Sequence, residues 1–544
     1  MARLAARDAR LPEGAIPVHA MTTIASPDPA FISISELLAQ HAAANPRHVA
    51  LIEAARSIDY GELDHLANRV AASLQRDGLE PQQCVAICAA GSIDYAAAFL
   101  GALRAGAVVA PLAPSSTADA LAAMLRDCEA THLLLDAPSA SLLGKASGLP
   151  ALRRVMLDGG DGAATAPRAP DSVRWLDWLG DASAARPVKI EPSWPFNIIY
   201  SSGTTGAPKG IMQPHSMRWV HIHRGRLTGY GPQAVVLLST PMYSNTTLVS
   251  LFPAIGLGGA AAIMPKFDAT GFLELAQKVR ATHAMLVPVQ YQRLMAHPDF
   301  DRYDLSAFQM KFSTSAPFAP ELKADVLRRW PGGLVEYYGM TEGGGTCTLA
   351  AHLHPDKLHT VGLPAPGHDI RLIDEHGKQV AAGETGEIVG HSGSMMTAYF
   401  KQAEKTAEAE WFDPSGKRFI RTGDLGYFDA DGFLVLLDRK KDMIISGGFN
   451  IYPTDLEAVL MEHPGVADAA IVGVPSEKWG ETPVAFVVAR SGHTVSEEAL
   501  LAWCNERLGK MQRIAAVRLV DRLPRSPIGK VLKRKLRDSF DASV

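Results

Sequence analysis

The chain has 544 residues, of which 47% are hydrophobic and 20% charged, an ordinary globular composition. Lys plus Arg number 53 and Asp plus Glu 57, so the net charge is −4 with His neutral, which excludes the strongly basic balance of a dedicated nucleic-acid binder. At this length buried core is not scarce, so neither disulfides nor a structural metal are needed for stability. The five cysteines, Cys84, Cys88, Cys128, Cys347 and Cys504, contain no Cys-x-x-Cys pair and fit a reducing cytoplasm.

The stretch before Met21 mixes Arg3, Arg7 and Arg10 with Asp8 and Glu13 and has no continuous apolar run, so it does not read as a secretory signal. A poorly ordered extension is expected over 1–30, with Met21 an alternative start. No apolar stretch approaches the roughly 20 residues of a membrane-spanning helix. The pattern predicts an amphipathic helix over 32–44, short strands at 49–52 and 57–60, and a helix running to about Gln75. Strands at 84–89, 108–112 and 132–136 follow, separated by helices at 93–105 and 118–129. Strands alternating with helices imply βαβ units and a mostly parallel sheet, an α/β fold. A Gly/Ala/Asp/Pro-rich loop is expected over 159–170. Alternation resumes after Trp194 and continues past Tyr338; over 386–438 it gives way to short strands with Gly and Asp turns. From Lys440 a small α+β unit is expected, with helices at 455–461 and 497–508 and strands at 467–473 and 483–489. The boundary falls near 438–441, giving a large domain over 31–438 and a small one over 439–544.

The strongest local signal follows an apolar strand ending in Tyr200. It is Ser201-Ser202-Gly203-Thr204-Thr205-Gly206-Ala207-Pro208-Lys209-Gly210. Glycines let backbone N–H groups approach a ligand, the hydroxyls add donors and Lys209 adds charge, a set suited to a polyphosphate. It is not a Walker A loop, whose Gly-to-Gly-Lys spacing differs. Next come Tyr337-Tyr338-Gly339-Met340-Thr341-Glu342-Gly343-Gly344, then Arg421-Thr422-Gly423-Asp424, and Asp438-Arg439-Lys440-Lys441 leading to Ser446-Gly447-Gly448. The last is Ser526-Pro527-Ile528-Gly529-Lys530. Taken singly each has an ordinary reading: a core aromatic, a Gly-flanked surface turn holding Asp424, a solvated linker, a surface lysine.

In this order the motifs resemble the adenylate-forming superfamily of acyl-CoA synthetases, nonribosomal-peptide adenylation domains and luciferases, from about Ser35 to Lys530. The resemblance implies a large ATP- and acyl-binding domain of several βα subdomains and a small mobile C-terminal domain. It implies two steps: a carboxylate attacks the α-phosphorus of ATP to give acyl-AMP and pyrophosphate, and the CoA thiol then displaces AMP. ATP, Mg²⁺ and CoA are thus implied.

By similarity the Ser201 to Gly206 loop and Lys209 embrace the β- and γ-phosphates, Thr341 touches the α-phosphate and Glu342 holds Mg²⁺. Tyr338 stacks on adenine, whose other side Ser315, Ala316 and Pro317 line, and Gly339 and Met340 are counted with them as nucleotide-binding. Asp424 and Arg439 bind the ribose, and Lys530 bridges the two reacting anions. Lys441 is the implied hinge, and Ser446, Gly447 and Gly448 border the pantetheine arm of CoA. The implied acyl pocket lies near the helix over 216–224, Tyr243, Ser244 and Asn245, and Gly343 to Gly345. Ser244 stands where many relatives carry His, and the glycine triplet suggests room for an aryl or medium-to-long-chain acid. His221 and His223 are two apart and read as pocket lining at most, not as metal ligands. Loading of a separate carrier protein is the alternative to CoA. The implied partners are a small carboxylic acid, ATP and CoA, with no nucleic acid and no membrane span; a homodimer is an admissible assembly.

Overall fold

A computed structural model describes residues 30–157, 172–201, 209–439, 442–446, 449–476, 479–508, 512–526 and 529–541. The expected N-terminal extension, the 159–170 loop and residues 440–441 of the boundary lie outside the described residues. Helix starts are set locally. Ser33 Oγ accepts from Glu36 N–H while Glu36 Oε2 accepts from Ser33 N–H, opening the helix Ile34–Ala44. Asp59 and Glu62 repeat that exchange at Tyr60–Arg76.

Alternating strands and helices build two large sheets. One is eight-stranded, with Cys84–Cys88 and Val108–Pro111 near its centre. Both strands are buried along their whole length, as strands covered on both faces must be. Parallel pairing holds until Lys209–Pro214, which runs antiparallel to Pro195–Ser201 and in turn pairs with the two-residue strand Ala398–Tyr399. The other sheet is nine-stranded; its middle is the parallel run Ala260–Ile263, Val235–Leu238, His283–Leu286, Met310–Ser313 and Gly333–Tyr338. Because these strands are parallel, their C-terminal ends share one edge, where ligands bind in open α/β sheets. All five cysteines are buried free thiols.

A third, antiparallel sheet contains Gly386–His391, Arg418–Phe428 and Leu434–Arg439. Here the sequence reading needs correction. Asp424 does not sit in a surface turn but inside an eleven-residue strand, at a register shift between Asp424 and Gly426. Gly423 supplies the positive φ of 71° that the irregularity requires. The smaller C-terminal unit has the helix Pro453–Met461 against the long antiparallel pair Val466–Ser476 and Gly480–Ala489. Its core includes Leu456, Leu460, Ile471 and Val487. The expected fold class, a large α/β domain followed by a separate small α+β domain, is the one observed. Among the described residues no helix is long and apolar enough to cross a membrane.

Candidate functional site

The segment Tyr338–Glu342 leaves the end of the strand Gly333–Tyr338 and is gripped from three sides. Tyr338 donates its phenol hydrogen to Asp424 Oδ2 at 2.7 Å, joining residues 86 apart in sequence. Burial, then the Asp424 charge, push the Tyr338 phenol well up, so it stays a donor. Thr341 offers its backbone carbonyl to Gln213 Nε2 at 2.6 Å. Glu342 Oε1 accepts from the Tyr399 hydroxyl at 2.8 Å. Met340 packs beside Ile211, Met396, Tyr399 and Ile420, and a Cβ on Gly339 would lie 3.3 Å from Thr346 Oγ1.

Around this segment stand the other expected groups. Ser201 pairs with Lys209 across neighbouring strands; Ser202, Gly203, Thr204, Thr205 and Gly206 lie outside the described residues. The Lys209 ammonium sits 5.0 Å from the Tyr399 ring centroid. Ser315 follows the strand Met310–Ser313 at the same sheet edge, and its hydroxyl is 2.9 Å from Thr246 Oγ1. Its φ of 81° is left-handed, a strained conformation for serine of the kind that collects at binding sites. Ala316 is half-buried and Pro317 exposed. Arg439 is opposite Asp424 in the strand register.

On the acyl side, burial pushes the Tyr243 phenol up, opposed by a hydrogen bond with Ser115. Ser244 is spent as a helix cap, accepting from Thr246 N–H at 3.3 Å at the start of Asn245–Gly256. Asn245 Oδ1 lies 3.5 Å from Gln213 Nε2. The glycine triplet is used differently from the expectation. A Cβ on Gly343 would collide with the Ser394 carbonyl, one on Gly344 would come 2.8 Å from the Gly390 carbonyl, and one on Gly345 would strike Ile370. The missing side chains admit the protein's own atoms, backbone beside Gly343 and Gly344 and the Ile370 side chain beside Gly345, so they are no argument for open space beside a ligand.

Three residues had gone unnoticed. Arg218, on the helix His215–Gly225, is 1% exposed. Its Nε and Nη2 donate to Asn197 Oδ1 at 3.2 and 2.9 Å, and Nη2 also reaches Gln213 Oε1. Burial lowers its pKa to about 9. Gln213, held by Arg218 and by Asn197 Nδ2 at 2.9 Å, in turn holds Thr341. Tyr399 is the third. An inward Gln or Tyr on a strand looks like its outward neighbours until the partner is known, so periodicity carried no signal for them. Among the described residues no hydrogen bond reaches the buried His221 Nδ1, and burial with nearby Arg218, Arg224 and His368 holds the ring well below its ordinary pKa.

Lys530 is tied back to Ser526. Ser526 N–H donates to Lys530 O at 2.7 Å and Lys530 N–H to Ser526 Oγ at 3.1 Å. Gly529, at φ 82°, is buried, and a Cβ there would lie 3.0 Å from Val289 Cγ1. Val289 belongs to the helix Pro288–Met295 that follows the strand His283–Leu286. Gly529, beside Lys530, therefore rests on the large domain at the sheet edge that carries Ser315 and Tyr338. Ser446 is buried and pairs with Gly480. Lys441, Gly447 and Gly448 lie outside the described residues.

Among the described residues no group of three or more His, Cys, Asp or Glu side chains could hold a metal alone. Glu342 fits a different arrangement. Its Oε1 is engaged by a neutral phenol, and among the described residues no donor reaches Oε2. One carboxylate oxygen completed by nucleotide phosphates and water is a donor set that suits Mg²⁺.

Residues 38–400 match the family described as AMP-binding enzyme, and 455–530 match the AMP-binding enzyme C-terminal domain. The chain is 33% identical to a 4-coumarate–CoA ligase-like protein of Oryza sativa subsp. japonica, covering 94% of this chain and 93% of that protein. It is 30% identical to the long-chain-fatty-acid–CoA ligase FadD13 of Mycobacterium tuberculosis, covering 94% and 99%. The crystal structure of ATP-bound MatB from Rhodopseudomonas palustris superposes with a TM-score of 0.81 at 28% identity, over 94% of this chain and 99% of that one.

Proposed function

The chain belongs to the AMP-binding enzyme family and is an AMP-forming acid–thiol ligase, and from that premise we propose that it activates an aryl or medium-to-long-chain carboxylic acid and transfers it to CoA. The observation that carries the reading is that Asp424 directly, and Lys209 through the Tyr399 ring, come from separate parts of the chain to the Tyr338–Glu342 segment. The acid class is supported by the relatives, whose names specify a hydroxycinnamate and long-chain fatty acids.

The first step must bring two anions together, so fixed donors and positive charge have to offset their repulsion. In this reading Tyr338, oriented through its phenol by Asp424, stacks on adenine against Ser315, Ala316 and Pro317. Asp424 accepts from the ribose hydroxyls beside Arg439. Ser201 to Gly206 and Lys209 take the β- and γ-phosphates, and the Thr341 hydroxyl meets the α-phosphate. Lys530 lies between the acid carboxylate and that phosphate. Its charge acts only when both anions are present, which is differential binding of the transition state. Glu342 would hold Mg²⁺, which when bound neutralises phosphate charge. The carboxylate oxygen bonds to the α-phosphorus as pyrophosphate leaves. The thiol sulfur then bonds to the acyl carbon as AMP leaves and the thiol proton passes to solvent. Rotation about Lys441 would withdraw Lys530 and bring Ser446, Gly447 and Gly448 to the pantetheine arm.

The test is a mass-spectrometric assay with ATP, Mg²⁺, CoA and pooled aryl, fatty and dicarboxylic acids beside acetate. An acyl-CoA with matching AMP is expected from the larger acids; turnover of acetate alone sinks the acid class. AMP-linked acid that never reaches CoA points to a carrier protein instead. Lys530→Ala should cut acyl-AMP formation by about 100-fold or more while sparing thioester formation from supplied acyl-AMP. Equal losses in both half-reactions would refute the role given to Lys530.

A further inference from the structure

Tyr399 lies between two charged groups that belong to different parts of the site. Its strand, Ala398–Tyr399, is clamped onto Lys209–Pro214. Thr397 N–H donates to Met212 O at 2.8 Å on one flank, and Phe400 N–H to Gly210 O at 2.7 Å on the other. The ring is buried, 6% exposed, among Ile211, Met396 and Ile420. Its hydroxyl donates to Glu342 Oε1 at 2.8 Å, and its face receives the Lys209 ammonium at 5.0 Å. Met396 N–H also donates to the Glu342 backbone carbonyl at 2.7 Å, so the 396–399 segment holds that residue by main chain and side chain together.

We propose that Tyr399 is a positioning residue that keeps the Glu342 carboxylate and the Lys209 ammonium apart and aims both at one magnesium-bound nucleotide. A direct Lys209–Glu342 ion pair would take from each the charge it offers a ligand; both instead contact the Tyr399 ring or its hydroxyl. The phenol supplies each with a neutral partner. Glu342 gives one oxygen to a hydroxyl and keeps the other for a cation. Lys209 rests on a π face, an attraction worth less than an ion pair and so easily exchanged for phosphate oxygens. The arrangement is a pre-organised site, with its orienting groups in place before the ligand arrives.

The inference rests on the roles given above to Glu342 and Lys209. Its test uses the full chain with Tyr399→Phe, Tyr399→Leu, Glu342→Gln and the Tyr399→Phe/Glu342→Gln double variant. Manganese binding in the presence of ATP is followed by electron paramagnetic resonance, and pyrophosphate release is followed against Mg²⁺ concentration. Tyr399→Phe keeps the ring and should weaken Mn²⁺ binding and raise half-saturating Mg²⁺ by about 10-fold. The melting temperature and the KM for the acid should not move, and excess Mg²⁺ should restore the rate. Tyr399→Leu should raise the KM for ATP as well, because Lys209 loses its platform. In the Glu342→Gln background the Tyr399→Phe effect should vanish. If Glu342→Gln leaves metal binding unchanged, the reading of Glu342 fails and the inference with it. If Glu342→Gln weakens metal binding and Tyr399→Phe does not, only the inference is overturned. A Tyr399→Phe protein that fails to fold, or loses acid and metal affinity alike, also overturns it, since a positioning hydroxyl is dispensable for packing.

Discussion

Two carboxylates on the same stretch of chain, Glu336 and Glu342, meet opposite surroundings. Glu336 is inside the nine-stranded sheet, 4% exposed, in an ion pair with Lys323 of the helix Pro320–Arg329. Lys323 is itself buried and also donates to Leu358 O at 2.7 Å and Thr360 O at 3.2 Å. Glu342 has passed the sheet edge, is half-buried, and is held by a phenol rather than a cation. A carboxylate neutralised in the interior has become structure, and removing its partner strands a charge. A carboxylate steadied by a neutral donor keeps its charge for a ligand. Arg218 belongs with Glu336: it is enclosed, and it reaches Thr341 through Gln213.

Variants can break that contrast. The largest effect is expected from Lys323→Met, which leaves Glu336 buried without its cation and should cost about 3–5 kcal/mol in urea unfolding. Burial already pushes the Glu336 carboxyl up, while Lys323 pulls it back. Folded Glu336 therefore keeps a proton to higher pH than the unfolded chain does, and falling pH favours the folded form. The loss should be smaller at about pH 5.5 than at about pH 8, and a pH-independent loss would show that packing, not charge, is at stake. Glu342→Gln should reverse the pattern: adenylation falls about 100-fold, on the scale of losing one transition-state contact, and the urea midpoint does not move. A matching drop in stability would erase the distinction between the two carboxylates. Arg218→Met should cost about 2 kcal/mol, because buried Asn197 Oδ1 loses both of its Arg218 donors and Gln213 Oε1 loses one of two. It should also raise the KM for ATP if Gln213 no longer steadies Thr341. Ser244→Ala removes only a helix cap and should cost about 1 kcal/mol, with activity nearly intact. A large activity loss there would return Ser244 to the list of acid contacts.

The helices over 34–44 and 60–76 were legible because their capping residues and apolar spacing are local. The alternation of strand and helix was legible for the same reason, and it is enough to imply a mostly parallel sheet. The glycine triplet misled, since a missing side chain reads alike whether a ligand or the protein's own atoms fill the gap. Asp424 misled in the same way: Gly-Asp-x-Gly has the composition of a turn, and only pairing with Leu434–Arg439 makes it a bulged strand.

By itself, the sequence determined the α/β class, the order of the motifs and the residues that bring their own chemistry: the hydroxyl- and glycine-rich loop, Lys209, Glu342, Asp424 and Lys530. Tertiary structure decided what those residues touch. Tyr338 finds Asp424 across 86 positions, Gln213 finds Thr341 across 128 and Tyr399 finds Glu342 across 57. Chemical identity is a property of a residue and its near neighbours, whereas orientation depends on groups that only folding brings within hydrogen-bond reach.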